Sequence, residues 1–199
     1  MKSIFAGLLL TAVMGAAQAG TLQSTNTSAV SFNWYNGQPA SVTGAKSTGF
    51  FGSLFTTSAG TFYATYLGNE SAYTNGFKFG MGSSLLESSA LGQTISMSVG
   101  TGTVGFSFYD SKGATFTNGS ASSSTLGFAI MNGSSLSYGP FDYILGFNDS
   151  FRGDADYDDF VVGVRFVSAV PEPETYAMLL AGLGLMGFTA RRRKASPFA

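Results

Sequence analysis

Along most of the chain from residue 49 to 167, large apolar side chains recur at every second position, a period that strands satisfy and helices do not. Ile95, Met97 and Val99 alternate with Thr94, Ser96 and Ser98, and Val104, Phe106 and Phe108 alternate with Thr103, Gly105 and Ser107. Phe32 and Trp34 alternate with Ser31 and Asn33, and further runs occupy 49–56, 61–67, 76–80, 125–131, 141–147 and 160–167. No stretch from Gly20 to Ala169 carries a helical period. Asn-Gly pairs begin at Asn36, Asn75, Asn118 and Asn132, and Asp110–Gly113 is another turn. Such pairs accept the positive φ of tight hairpins. Eight to ten short strands with turns about every dozen residues predict an all-β fold, an antiparallel two-sheet β-sandwich of jelly-roll-like kind. The 19 Phe and 9 Tyr then fill the space between two sheets.

Both ends of the chain break this pattern. Lys2, the apolar run Ile4–Met14 and the small residues Ala17-Gln18-Ala19 form the three regions of a signal peptide over 1–19, with cleavage leaving Gly20 as the first residue. An uncleaved anchor is the other reading of this segment. At the far end come Val170, Pro171, Glu172 and Pro173, then an uncharged run from Tyr176 to Ala190, then Arg191, Arg192, Arg193 and Lys194. The prolines predict an extended 170–173, with helix beginning at about Glu174–Thr175. The apolar run is short against the roughly 20 residues of a spanning helix, and snorkelling by Arg191 extends its reach. A run of this length also suits a buried or interfacial helix, and a basic end also suits solvent or nucleic acid. The order of the parts, with an export signal at the other end, favours the membrane. The expectation is an N-terminal signal helix and a C-terminal single transmembrane helix, with its basic end in the cytoplasm.

The segment 170–194 resembles a PEP-CTERM sorting signal, whose pattern is V-P-E-P, an apolar glycine-bearing helix and an Arg-rich end. Val170–Pro173, Leu179–Phe188 and Arg191–Arg193 carry the likeness in register. The resemblance implies an exported protein of a Gram-negative bacterium that makes exopolysaccharide. It also implies cleavage near the Pro-Glu-Pro by an exosortase, an integral-membrane transpeptidase. The expected partners are therefore the export machinery, the exosortase and the inner membrane, where the precursor is anchored before delivery to the envelope or extracellular matrix. The chain then divides into a signal peptide (1–19), a passenger (20–169), the sorting signal (170–194) and a tail (195–199).

The passenger holds five bases and nine acids, a formal charge of −4, with no basic stripe, which argues against nucleic acid as a partner. There is no His and no Cys, so thiol chemistry, Ser-His-Asp triads and most zinc sites are excluded. Six of the nine acids fall within Asp142–Asp159. In the densest part, Asp154, Asp156, Asp158 and Asp159 crowd their carboxylates, and such crowding repels unless a cation or the adjacent Arg152 offsets it. Oxygen ligands point to calcium, held as a structural ion. The loop is not an EF-hand, since Asp159 stands where that loop needs Gly and Arg165 where it needs Glu. A solvated acidic turn is the other reading. The stretch resembles a G-D-x-D-Y-[ND]-D motif of secreted bacterial β-domains, in which the resemblance implies a calcium-associated loop. The strand that follows, 160–167, is apolar on both faces and so is expected to be central.

A glycosidase pair would have to face across a cleft, and these acids lie on one local loop, so no enzymatic activity is expected. The expected function is that of a structural protein of the cell surface or matrix. The alternative is a calcium-dependent module that binds exopolysaccharide, with Tyr63, Tyr66, Tyr73 or Trp34 exposed in a row for stacking.

Overall fold

The computed structural model describes residues 20–31, 48–123, 126–133, 135–149, 156–169 and 173–194. In chain order the strands are β1 (Leu22–Ser31), β2 (Thr48–Thr56), β3 (Gly60–Gly68), β4 (Asn75–Phe79), β5 (Ser84–Leu86), β6 (Thr94–Val99) and β7 (Gly102–Thr103). They continue with β8 (Phe106–Asp110), β9 (Thr115–Thr117), β10 (Gly127–Asn132), β11 (Ser135–Leu136), β12 (Gly139–Pro140), β13 (Tyr143–Asn148) and β14 (Phe160–Ser168). One helix follows, α1 (Pro173–Lys194), which belongs to a unit separate from the β body 20–170.

Among the described residues the strands form two antiparallel sheets and a small ribbon. The larger sheet has eight strands in the order β1-β2-β10-β13-β14-β3-β6, with β7 added against β2. The smaller has four, in the order β5-β4-β8-β9, and β11 pairs only with β12. The predicted two-sheet antiparallel architecture is therefore present, divided eight to four rather than as the eight strands of a jelly roll.

One core joins the facing sides of the two sheets. From the large sheet come Leu54, Phe62, Phe128, Phe147, Phe160 and Val162, and from the small one Phe77, Phe79, Phe106 and Phe108. The rings interlock: Phe108 stacks on Phe147 at 5.2 Å, Phe106 meets Phe128 edge-on at 5.6 Å, and Phe62 stacks on Phe106 at 6.2 Å. Full burial of each such ring stabilises the fold by roughly 1.5–3 kcal/mol. The alternation read in the sequence supplies these inward residues.

The opposite face of the large sheet carries a second cluster, Leu67, Ala129, Met131, Ile144 and Val161, covered by Phe141 and Tyr157. Phe141 lies so close over Gly163 that a Cβ there would meet its ring at 2.6 Å. This explains why β14 is apolar on both faces. It runs between β13 and β3, with the main core on one side and this cluster on the other.

Several expectations need correction. The run at 103–108 is not one strand: β7 pairs with β2 of the large sheet and β8 with β4 of the small one, so the chain changes sheets at Val104–Gly105. Asn75–Gly76 is not a hairpin turn but the start of β4, with Asn75 buried. Asn132 ends β10 opposite Tyr143, and the ribbon β11–β12 extends beyond it. The Asp110–Gly113 turn does form: Asp110 Oδ1 accepts from Lys112 N and Ala114 N at 2.8 and 2.9 Å, and Gly113 takes φ +99. Asn36, Trp34, the signal helix of 1–19 with Ala17 and Ala19, and the tail 195–199 lie outside the described residues.

The expected transmembrane helix is also corrected. Helix forms, starting at Pro173, where proline suits a first helical position, and the basic block Arg191–Lys194 is its last turn. No helix among the described residues is long and apolar enough to cross a membrane. The uncharged run 176–190 spans only about 22 Å at about 1.5 Å per residue, against a hydrocarbon core of about 30 Å.

Candidate metal centre and sorting segment

Three chain segments meet at one corner of the β body: the loop after β3, the end of β13, and residues 156–159 leading into β14. The last of these is anchored by Tyr157, the single non-glycine described at positive φ (+62). That conformation costs about 1–2 kcal/mol for an ordinary side chain. Burial of the Tyr157 ring in the outer cluster offsets the cost, with an edge-on contact to Phe51 at 5.9 Å and a hydrogen bond from its hydroxyl to Ser123 O at 2.9 Å.

The neighbours of Tyr157 carry the acids. Glu70 N donates to Asp158 O at 2.9 Å and so ties the loop after β3 to this segment. The carboxylates of Glu70, Asp156 and Asp158 thereby offer oxygens all within 4.8 Å of one another, with Glu70 exposed and both aspartates buried. At an effective dielectric near 20, two carboxylates at that distance repel by about 3 kcal/mol. An all-oxygen set open on one side has the chemistry that a hard divalent cation such as calcium requires.

The remaining acids build the wall behind this group. Asp159 Oδ2 accepts from Asp149 N at 2.7 Å. Asp149 Oδ2 accepts from Ser71 Oγ at 2.6 Å and from the buried Asn75 Nδ2 at 2.7 Å, while Asn75 N donates to Glu87 Oε1 at 2.7 Å. Burial pushes the Glu87 carboxyl above its ordinary range; the Asn75 N–H pulls it back in part, and the charge of Asp149 pushes it up again. Thus Asp156 and Asp158 of the predicted set come together, Asp159 serves the backbone of Asp149, and Asp154 lies outside the described residues. Glu70 was not predicted, because it stands alone in the sequence and reaches the site only through the pairing of β3 with β14.

Among the described residues the predicted row of stacking aromatics does not form, and Trp34 lies outside them. Tyr66 is buried in the core with its hydroxyl on Asn69, and Tyr73 is half-buried under Lys112, whose Nζ lies 5.2 Å from the ring centre. Tyr63 faces outward without either of them.

In the other unit, the described side chains of α1, Tyr176 to Thr189, are all exposed, including Met178, Leu179, Leu185 and Phe188. Pro173 begins this helix, and Val170, Pro171 and Glu172 lie outside the described residues. Residues 169–194 match the family model of the PEP-CTERM protein-sorting motif. No curated protein and no solved structure matches the chain. The motif implies an exported protein that an exosortase processes, with anchoring at the envelope or outside the cell.

Proposed function

We propose that this chain is a structural protein of the cell surface or extracellular matrix of a Gram-negative bacterium, delivered through its PEP-CTERM motif and without catalytic activity of its own. The motif at 169–194 carries the reading, because it begins directly after Ser168, the last residue of β14. A strand paired on both sides and apolar on both faces suits a point at which a body is joined to, or severed from, its tether. We assign α1 to recognition by the exosortase rather than to permanent anchoring, since its uncharged run is shorter than a bilayer core. The chemistry of the chain supports a non-catalytic role: there is no His or Cys, and the three carboxylates that meet do so in one corner rather than across a cleft. We assign that corner, Glu70 with Asp156 and Asp158, to a structural calcium ion that joins the loop after β3 to the entry of β14.

The intact mass of the protein recovered from the cells that produce it tests the reading. The expected product begins at Gly20 and ends near Pro171–Pro173. A product retaining Tyr176–Lys194 overturns exosortase processing.

A further inference from the structure

On the outer face of the large sheet, beside the Phe141 loop, lies an open groove of about 260 Å³. Its floor comes from the pairing of three strands. Arg165 of β14 stands opposite Tyr63 of β3, and one step along Thr65 of β3 stands opposite Thr94 of β6. Val167 continues the floor, and Tyr138, from the turn between β11 and β12, forms a wall. Tyr138 is held close against the loop before β6: a Cβ on Gly92, which has φ +81, would lie 2.5 Å from its ring.

The chemistry of this groove is specific. Among the described residues no carboxylate lines it, so Arg165 is the one described charge there, an exposed guanidinium in a passenger whose formal charge is −4. The other two bases among the described residues of the β body lie elsewhere, Lys78 over the ring of Tyr109 and Lys112 over Tyr73. Thr65 and Thr94 share a hydrogen bond of 2.8 Å, and Thr94 Oγ1 also donates to Gly92 O at 3.3 Å. Whichever hydroxyl donates within the pair, each oxygen keeps a lone pair that accepts from a ligand hydroxyl. A planar fork for a carboxylate, two phenol rings and two hydroxyl acceptors are the groups that an acidic pyranose offers partners to: its carboxylate, its apolar C–H face and its hydroxyls. The volume, just below the usual range for ligand pockets, suits one or two sugar units in an open groove.

We propose that this groove binds the uronic-acid units of an acidic polysaccharide, with Arg165 on the carboxylate and Tyr63 and Tyr138 on the ring faces. The site requires neither the acidic corner nor processing at the sorting motif.

Affinity electrophoresis of the full chain in native gels tests it, with polygalacturonate or uncharged dextran in the gel and chelator throughout. The expected result is retardation by polygalacturonate alone, weakened about tenfold by Arg165→Gln and severalfold by Tyr138→Ala, with Lys78→Gln unchanged. The Arg165 and Tyr138 side chains are exposed, so both variants keep the circular dichroism of the parent. Absence of retardation, equal retardation by dextran, or equal binding by folded Arg165→Gln protein overturns the proposal.

Discussion

The buried side-chain amide of Asn118 holds both backbone groups of Leu54, accepting from its N at 2.9 Å and donating to its O at 2.7 Å. Nδ2 of Asn118 donates also to Val104 O at 2.8 Å, where the chain passes from the large sheet to the small one. The amide thus replaces ladder bonds that diverging strands cannot make. Asn118→Leu removes all three bonds and leaves backbone groups buried without these partners, each at a cost of about 1–3 kcal/mol. Urea unfolding is expected to show a loss of about 3 kcal/mol. An unchanged midpoint would contradict the role given to Asn118.

Phe108 of the small sheet meets three described rings of the large one. It meets Phe77 at 5.2 Å, Phe128 at 5.6 Å, Phe147 at 5.2 Å and Phe160 at 6.4 Å. Phe108→Ala is expected to lower stability by about 3–5 kcal/mol, the usual cost of deleting a buried ring. Phe116→Ala, which removes a half-buried ring from β9, is expected to cost less than half as much. Equal losses in chemical denaturation would show that Phe108 does not join the two sheets.

The strands that build the shared core were legible because burial on one face writes a period of two into the residues, as in Phe106 and Phe108 or Val162 and Val164. β1 was not, because Leu22–Ser31 is an edge strand with most of its side chains exposed, and Ser, Thr and Asn serve both faces. The Asn-Gly pair at Asn75 misled for a related reason: Asn75 has a buried, bonded amide and Gly76 leaves space for the ring of Tyr109, whereas Gly119 after Asn118 does take a turn at φ +94. The acidic loop was legible as local crowding, whereas Glu70 was not, since strand pairing alone brings it to Asp156 and Asp158. In the sequence Arg165 was legible as a base within the strand 160–167 and as a residue that spoiled an EF-hand pattern, with nothing to mark a groove. Its place in a groove follows from register with Tyr63.

Calcium at the corner of Glu70, Asp156 and Asp158 would stabilise the folded chain by mass action. At a hundredfold excess over the dissociation constant the gain is about 2.7 kcal/mol, or about 5–10 °C for a domain of this size. Glu70→Gln and Asp156→Asn are each expected to abolish that rise. Asp110→Asn, which weakens a turn on the small sheet, is expected to melt lower and yet keep the calcium response. Identical melting curves of the parent with and without calcium would exclude the ion.

Alkaline pH separates the two most deeply placed phenols from the rest. Burial pushes Tyr66 up to about 12 and the charge of Glu87 adds to the shift; burial also pushes Tyr157 up to about 12, with Asp156 adding to it. In the unfolded chain both ionise near pH 10. Their contribution is therefore fully present below about pH 10. It falls as pH rises from there towards 12, because the unfolded state releases protons that the folded state still binds. Thermal melts across that window are expected to show a steep decline for the parent and a shallower one for Tyr157→Phe, although that variant starts lower through loss of the bond to Ser123 O. Phenolate absorbance followed in parallel is expected to place these two rings last, with the final rise coinciding with unfolding. Equal slopes for parent and variant would mean that Tyr157 titrates as it does in water, and that the segment carrying Asp156 and Asp158 is not held down by a buried ring.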